Sequence, residues 1–283
     1  MGAASVVPGV SGGTMALILG VYARLLTALA AWTRPPLWAA LRARRWRLAW
    51  RSVDGAFMTG LVIGIAASVV LLAGVVEVAL QAYRSQVYAA FVGLVAASVP
   101  VVTAQVQRWR APEGVALVAT ALAANLLVGL APITGPSGGW FLVLAGALGI
   151  STLILPGMSG AFVLVLLGQY ERVLGAIADA DLRTLLPFAL GAAGGLFLFA
   201  RLLSGWMRRF PGPTHAALAG FLIGSLRRLW PWQADDAVRL SPQAPPDAGA
   251  AAIAVALALL GAASVWALHA WSRRVASEAP PRG

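Results

Sequence analysis

Six apolar stretches, each near the length that crosses a bilayer, recur along this chain at about 54–80, 87–106, 113–131, 184–203, 214–230 and 249–271. A hydrocarbon core about 30 Å thick takes about 20 apolar helical residues to span. Inside lipid every backbone polar group must be satisfied by the segment itself, which leaves helices or a closed barrel. Strict apolar–polar alternation is absent, so the stretches read as helices. Composition agrees: 60% of the 283 residues are hydrophobic and 11% are charged, against about 25% charged in a soluble domain. The expected class is an all-α polytopic protein of the cytoplasmic (inner) membrane. No basic stretch precedes the first motif, so no cleavable signal peptide is expected.

The net charge of +11 is carried by arginine alone. In an apolar chain such charge belongs to cytoplasmic loops and anionic headgroups, so no nucleic-acid partner is expected. The segment 34–51, "RPPLWAALRARRWRLAWR", interleaves six arginines with Trp38, Trp46 and Trp50 and reads as an interfacial amphipathic segment. With that segment in the cytoplasm, the loops 107–112 and 204–213 and the C-terminal tail fall inside; with Arg24 placed inside and Arg201 at the inner end of its span, 15 of the 21 arginines are inside. The scheme holds only if residues 140–170 enter and leave on one side, as a re-entrant hairpin broken at Pro156-Gly157.

The chain has no cysteine and two histidines, His215 and His269, with no cluster at metal-ligand spacing. No metal and no cofactor is expected. No nucleotide-binding motif is present, so ATP coupling is not expected either.

Residues 8–26, "PGVSGGTMALILGVYARLL", align without a gap on residues 156–174, "PGMSGAFVLVLLGQYERVL", with nine of nineteen positions identical. The shared Pro8/Pro156, Gly9/Gly157, Ser11/Ser159, Gly12/Gly160, Gly20/Gly168, Tyr22/Tyr170 and Arg24/Arg172 carry the match. A fainter echo pairs "AAFVGLVAAS" (89–98) with "AALAGFLIGS" (216–225), setting Gly93 on Gly220 and Ser98 on Ser225. Each half, 1–133 and 134–283, then reads as one hairpin plus three spans. Three is odd, so the halves insert with opposite orientation, a mark of secondary transporters.

Proline removes an amide donor and glycine admits unusual backbone geometry. A half-helix starting after such a break turns free N–H groups toward a cavity, which suits an anion such as phosphate. The candidate binding residues are Pro8, Gly9, Ser11, Gly12, Gly13 and Thr14 in the first loop, and Pro156, Gly157, Ser159 and Gly160 in the second. Arg24 and Arg172 are read either as snorkelling residues or as a guanidinium fork for phosphate. Glu171 is read as a surface ion pair or a proton carrier. Arg227 and Arg228, with Trp230 and Trp232, mark a membrane interface, and Asn125 is expected to bond between helices. Between the loops, the first is favoured for phosphate, because Gly13-Thr14 is small and polar where Ala161-Phe162 is not.

"GAASVVPGVSGGTMALILGVYARLL", "ILPGMSGAFVLVLLGQYERVL", "FVGLVAASVP" and "GFLIGSLRRLWPW" resemble the PopT-type polyprenyl-phosphate transporters, catalogued as domain of unknown function 368. The resemblance implies a flippase that returns undecaprenyl phosphate to the cytoplasmic leaflet for cell-envelope synthesis, with the polyprenyl-phosphate lipid as its partner. It also implies acids at two positions where this chain carries Ser5 and Ala23, which leaves Glu171 to any proton coupling. The seven residues before Pro8, against about sixteen apolar residues before Pro156, imply a short first hairpin or a start upstream of Met1. Two other readings stay open: a polyprenyl-pyrophosphate phosphatase, and a secondary transporter of a small anion. Neither loop contains Glu, His or Arg to activate water or a nucleophile, so no catalytic residue is assigned.

Overall fold

The repeated motif folds the same way twice. Ser11, itself extended, opens helix α1 (Gly12–Ile18), as the likewise extended Ser159 opens α9 (Gly160–Leu166) in the second copy. Both helices stop in the same manner. Gly20 at φ +69° and Gly168 at φ +64° take the left-handed conformation, which glycine adopts without the clash a Cβ brings. The Val21 and Gln169 N–H groups reach back to Ala16 and Leu164 carbonyls, while those of Gly20 and Gly168 reach Leu17 and Val165. This 6→1 and 5→2 pattern is a Schellman C-cap. A nine-residue helix follows in each copy, α2 (Tyr22–Ala30) and α10 (Tyr170–Ala178).

This is a computed structural model, and it describes residues 11–136, 138–233 and 242–278. Pro8 and Gly9 of the first motif lie outside the described residues. After α2 a 3₁₀ turn (Ala31–Thr33) leads to α3 (Pro35–Arg42) and α4 (Trp46–Ser52). These two short helices are the expected amphipathic segment. Leu37, Ala40, Ala49 and Val53 form a small core of their own, and Trp38, Trp46 and Trp50 remain exposed. Three long helices follow: α5 (Gly55–Ala82), α6 (Arg84–Thr103) and α7 (Ala111–Val128). In the second half, α8 (Gly139–Ser151) precedes α9 and α10. Then come α11 (Leu182–Arg209), α12 (Pro211–Ser225), a 3₁₀ turn (Leu226–Leu229) and α13 (Ala248–Glu278).

Among the described residues, five helices are long and apolar enough to cross a membrane: α5, α6, α7, α11 and α13. The expected span at 214–230 is built of two pieces. Its α-helix stops at Ser225 after 15 residues. The four-residue 3₁₀ turn extends it, and the two together reach about 30 Å at rises of about 1.5 and 2.0 Å per residue. This element is also well enclosed, with Leu218, Ala219, Leu222 and Leu229 all in the central core.

Small residues set the helix pairing. A Cβ on Gly220 would collide with the Leu117 carbonyl, and one on Gly224 with that of Ala121, so α12 lies directly on α7. In the same way Gly93 meets the Ala258 carbonyl and Gly261 that of Ala90, seating α6 on α13. Gly191 and Gly195 of α11 sit on Val143 and Ala147 of α8. Lipid gives helices no hydrophobic reason to associate, so close approach at small residues and its dispersion energy replace it.

The chain between Ser151 and Gly160 is not helical, and α9 folds back against α8, with Gly160 on the Gly149 carbonyl. The Ile133 N–H donates to the Leu166 carbonyl at 2.9 Å. The approach to α8 and the end of α9 are therefore neighbours. Helix α10 then leaves α9 at 113°.

Candidate functional site

The start of α1 crosses the irregular segment 153–157 within the central core. Gly13 lies so close to the Ile154 carbonyl that no Cβ fits between them. Ser11 accepts from the Gly13 N–H at 3.1 Å as an N-cap and donates its own hydroxyl to the Leu153 carbonyl at 3.1 Å. The Thr14 hydroxyl oxygen accepts from the Gly157 N–H at 3.1 Å. Tyr22 donates to the Ile154 carbonyl at 3.0 Å. The irregular backbone at 153–157 thus has its polar groups met by side chains of the first copy, as backbone at membrane depth must. Among the described residues, no buried side-chain nitrogen or oxygen lacks a partner.

Burial separates the two loops. Ser11 is 2% exposed and Thr14 is fully buried, and both hydroxyls are engaged in the crossing. Gly12 and Gly13 are buried with them. Ser159 is half-buried and makes no side-chain cap bond. It lines a pocket of about 280 Å³ together with Gly157, Met158, Phe162, Tyr170 and Arg228. Pro156 and Gly160 are buried beside it. Gly157, at φ +77°, packs on the Ser225 hydroxyl and leaves no room for a side chain.

Thr14 supports a stability prediction. In Thr14→Val the Gly157 N–H loses its buried acceptor, which costs about 1–3 kcal/mol. A lower midpoint in thermal unfolding of the purified protein, restored by Thr14→Ser, is expected; an unchanged midpoint would remove the crossing bond from the account.

Arg228 is the cation at this pocket. Its guanidinium stacks on the Phe162 ring, 4.7 Å from the centroid, a contact worth about 0.5–2 kcal/mol. Two consecutive arginines diverge here because a 3₁₀ turn advances about 120° per residue. Arg227 turns the other way and donates to Asn125 Oδ1 on α7 at 3.4 Å. Gln233 Nε2 donates to both Arg227 and Arg228 carbonyls and closes the turn. The sequence alone marks Arg228 as an interface residue; "GSLRRLWPW" does not reveal that Phe162, 66 positions earlier, lies under it.

The remaining candidates lie elsewhere. Arg24 makes a bidentate ion pair with Asp54, Nη2 to Oδ1 at 2.9 Å, and stacks on Phe57. The pair borders a shallow surface pocket with Arg51 and Thr27, separate from that of the second loop. Arg172 donates to Gln169 Oε1 at 3.5 Å. Glu171 is exposed in the first turn of α10, where its charge complements the helix dipole.

The start of α1 thus lies against the break between α8 and α9, and Arg228 lines the pocket at that break. The profile of undecaprenyl phosphate translocase-like proteins matches residues 1–244 and so takes in both loops and Arg228. The chain belongs to this family. A polyprenyl-phosphate transporter of Vibrio cholerae is 35% identical over 233 residues, covering 82% of this chain and 75% of the relative. A polyprenyl-phosphate transporter of Staphylococcus aureus is 29% identical over 94 residues, 31% of this chain and 33% of the relative. No solved structure matches. Within the family frame, the crossed loops become the feature that a transport reading has to use.

Proposed function

We propose that this family member is a flippase for undecaprenyl phosphate or a related polyprenyl phosphate, returning the lipid to the cytoplasmic leaflet of the inner membrane. The observation that carries the reading is the second break: a pocket with a serine hydroxyl, a phenol and a guanidinium, set among apolar helices. A phosphomonoester on a long hydrocarbon needs both environments at once. The guanidinium supplies charge-assisted hydrogen bonds to the phosphate oxygens, and Ser159 and Tyr170 add donors. On this reading the headgroup sits at the second loop, while Ser11 and Thr14 of the first hold that loop in shape.

Membership and the relatives' names support the substrate class. The inverted repeat has support of another kind. Both motifs share one local structure, and the pairing of α12 on α7 is echoed by α6 on α13 at the aligned Gly220 and Gly93. In this topology α8 and α9 form a re-entrant hairpin, the halves divide near residue 133, and transport rocks one half against the other. The chain lacks cysteine, so labels are simple to place. Gly139→Cys and Glu171→Cys, both at exposed positions, are expected to react from the same side of intact membranes. Reaction from opposite sides would make 139–171 a single crossing.

The function is tested with purified protein in liposomes carrying a fluorescent polyprenyl phosphate in the outer leaflet. Loss of outer-leaflet signal at a rate proportional to protein is expected, with no phosphate released from polyprenyl pyrophosphate in parallel. Phosphate release without lipid movement would transfer the assignment to a phosphatase. Movement of free phosphate alone would transfer it to a small-anion transporter.

A further inference from the structure

A second cavity lies on the other side of the same break. It measures about 620 Å³ and runs between α7, α11 and α12, within the range of about 300–1,000 Å³ typical of ligand pockets. Its walls include Leu155, Leu202, Trp206, Ala217, Leu218 and Phe221. Two threonines on the wall are chemically silent: Thr120 donates to the Ala116 and Ala217 carbonyls, and Thr214 to that of Phe210. Leu202, Trp206 and Phe210 are more than half exposed, so the groove opens sideways along α11.

We infer that this groove holds the isoprenoid chain of the carried lipid, in line with the phosphate pocket at Arg228. The argument is the register of α12. Thr214, Ala217, Leu218 and Phe221 form one face at helical spacing and line the groove. Gly157 packs beside the Phe221 carbonyl and the Ser225 hydroxyl. Arg228 follows in the 3₁₀ turn, at the phosphate pocket. Leu155 borders the groove and Gly157 the pocket, so one loop separates the two. From Thr214 to Arg228 the element rises about 20 Å, enough for several isoprene units below a phosphate. Bulk phospholipid has two chains and a larger headgroup; a single file of apolar side chains ending at one arginine fits a single-chain phosphomonoester.

This inference rests on the polyprenyl-phosphate reading, and its test separates the two. Binding to the purified full chain is measured with two probes, undecaprenyl phosphate and geranyl phosphate, the second too short to fill the groove. Ala217→Phe places a ring inside the cavity. Displacing even two buried methylenes costs about tenfold in affinity. Undecaprenyl phosphate is therefore expected to weaken at least tenfold, with geranyl phosphate unchanged and the chain-length preference lost. Leu202→Trp, at the lipid-facing edge, makes the same test should Ala217→Phe not fold. A photoreactive residue at Phe199 is expected to capture undecaprenyl phosphate, with excess unlabelled lipid competing. Unchanged preference in either variant, or capture of phospholipid acyl chains alone, overturns the groove assignment and leaves the transport reading in place. If wild-type protein binds neither probe, the transport reading itself fails.

Discussion

Gly13→Val is expected to abolish lipid transport in the liposome assay. The valine would drive its side chain into the Ile154 carbonyl at a point where neither backbone can yield. On one side stands α1, capped by Ser11 and packed through Leu17 into the central core. On the other, residues 153–157 are held by three hydrogen bonds: Ser11 and Tyr22 donate to the Leu153 and Ile154 carbonyls, and Thr14 accepts from the Gly157 N–H. Overpacking a well-filled site costs about 1–3 kcal/mol, and here it also breaks the bonds that shape the second loop. Gly13→Ala is expected to fall between wild type and valine. Gly60→Ala on α5, where nothing lies within reach of a Cβ, is expected to transport at the wild-type rate. Full transport by Gly13→Val would show that the crossing is dispensable.

Arg228→Ala is expected to weaken binding of geranyl phosphate by about 10–100-fold, since a hydrogen bond to a charged group is worth about 1.5–3 kcal/mol. Arg228→Lys keeps the charge but loses the planar fork and the stack on Phe162, and is expected to recover only part of the affinity. Phe162→Ala removes the surface that orients the guanidinium and is expected to cost up to about tenfold through Arg228. The loss should therefore vanish when measured in the Arg228→Ala background. Additive losses in that double mutant would show that Phe162 acts on its own. The Arg24–Asp54 pair makes a useful contrast. Both partners are more than a third exposed, and exposed pairs contribute about 0–1 kcal/mol. Asp54→Asn also tolerates the left-handed backbone at φ +49°, so a small change in thermal midpoint is expected.

Much of this was legible in the chain itself. The apolar stretches declared a helical membrane protein because lipid leaves backbone polar groups few alternatives. The ungapped 8–26 and 156–174 match foretold two copies of one local structure, and the copies agree down to Gly20 and Gly168, because C-cap geometry depends on residues within one helical turn. The positions of α5, α6, α7, α11 and α13 follow from apolar runs long enough to cross a bilayer. The stretch 214–230 divides into an α-helix and a 3₁₀ turn, and Ser225 at the division packs on Gly157, a partner that hydropathy cannot display.

Roles within the site depended on contacts that no local pattern encodes. Ser11 and Ser159 occupy aligned positions, yet one is buried in a hydrogen bond to Leu153 and the other lines a pocket. Thr14 sits on the loop that the sequence favours for phosphate, yet its hydroxyl oxygen accepts from Gly157. Arg228 reads in sequence as an interfacial cation, yet it stacks on Phe162 at the pocket. Local sequence determined which segments are helical, where they break and that they come in two copies, since helix formation and capping involve neighbours a few residues apart. The tertiary structure alone decided which hydroxyl is engaged and which arginine faces a cavity, because those outcomes depend on backbone groups and rings brought together from 66 to 143 positions apart.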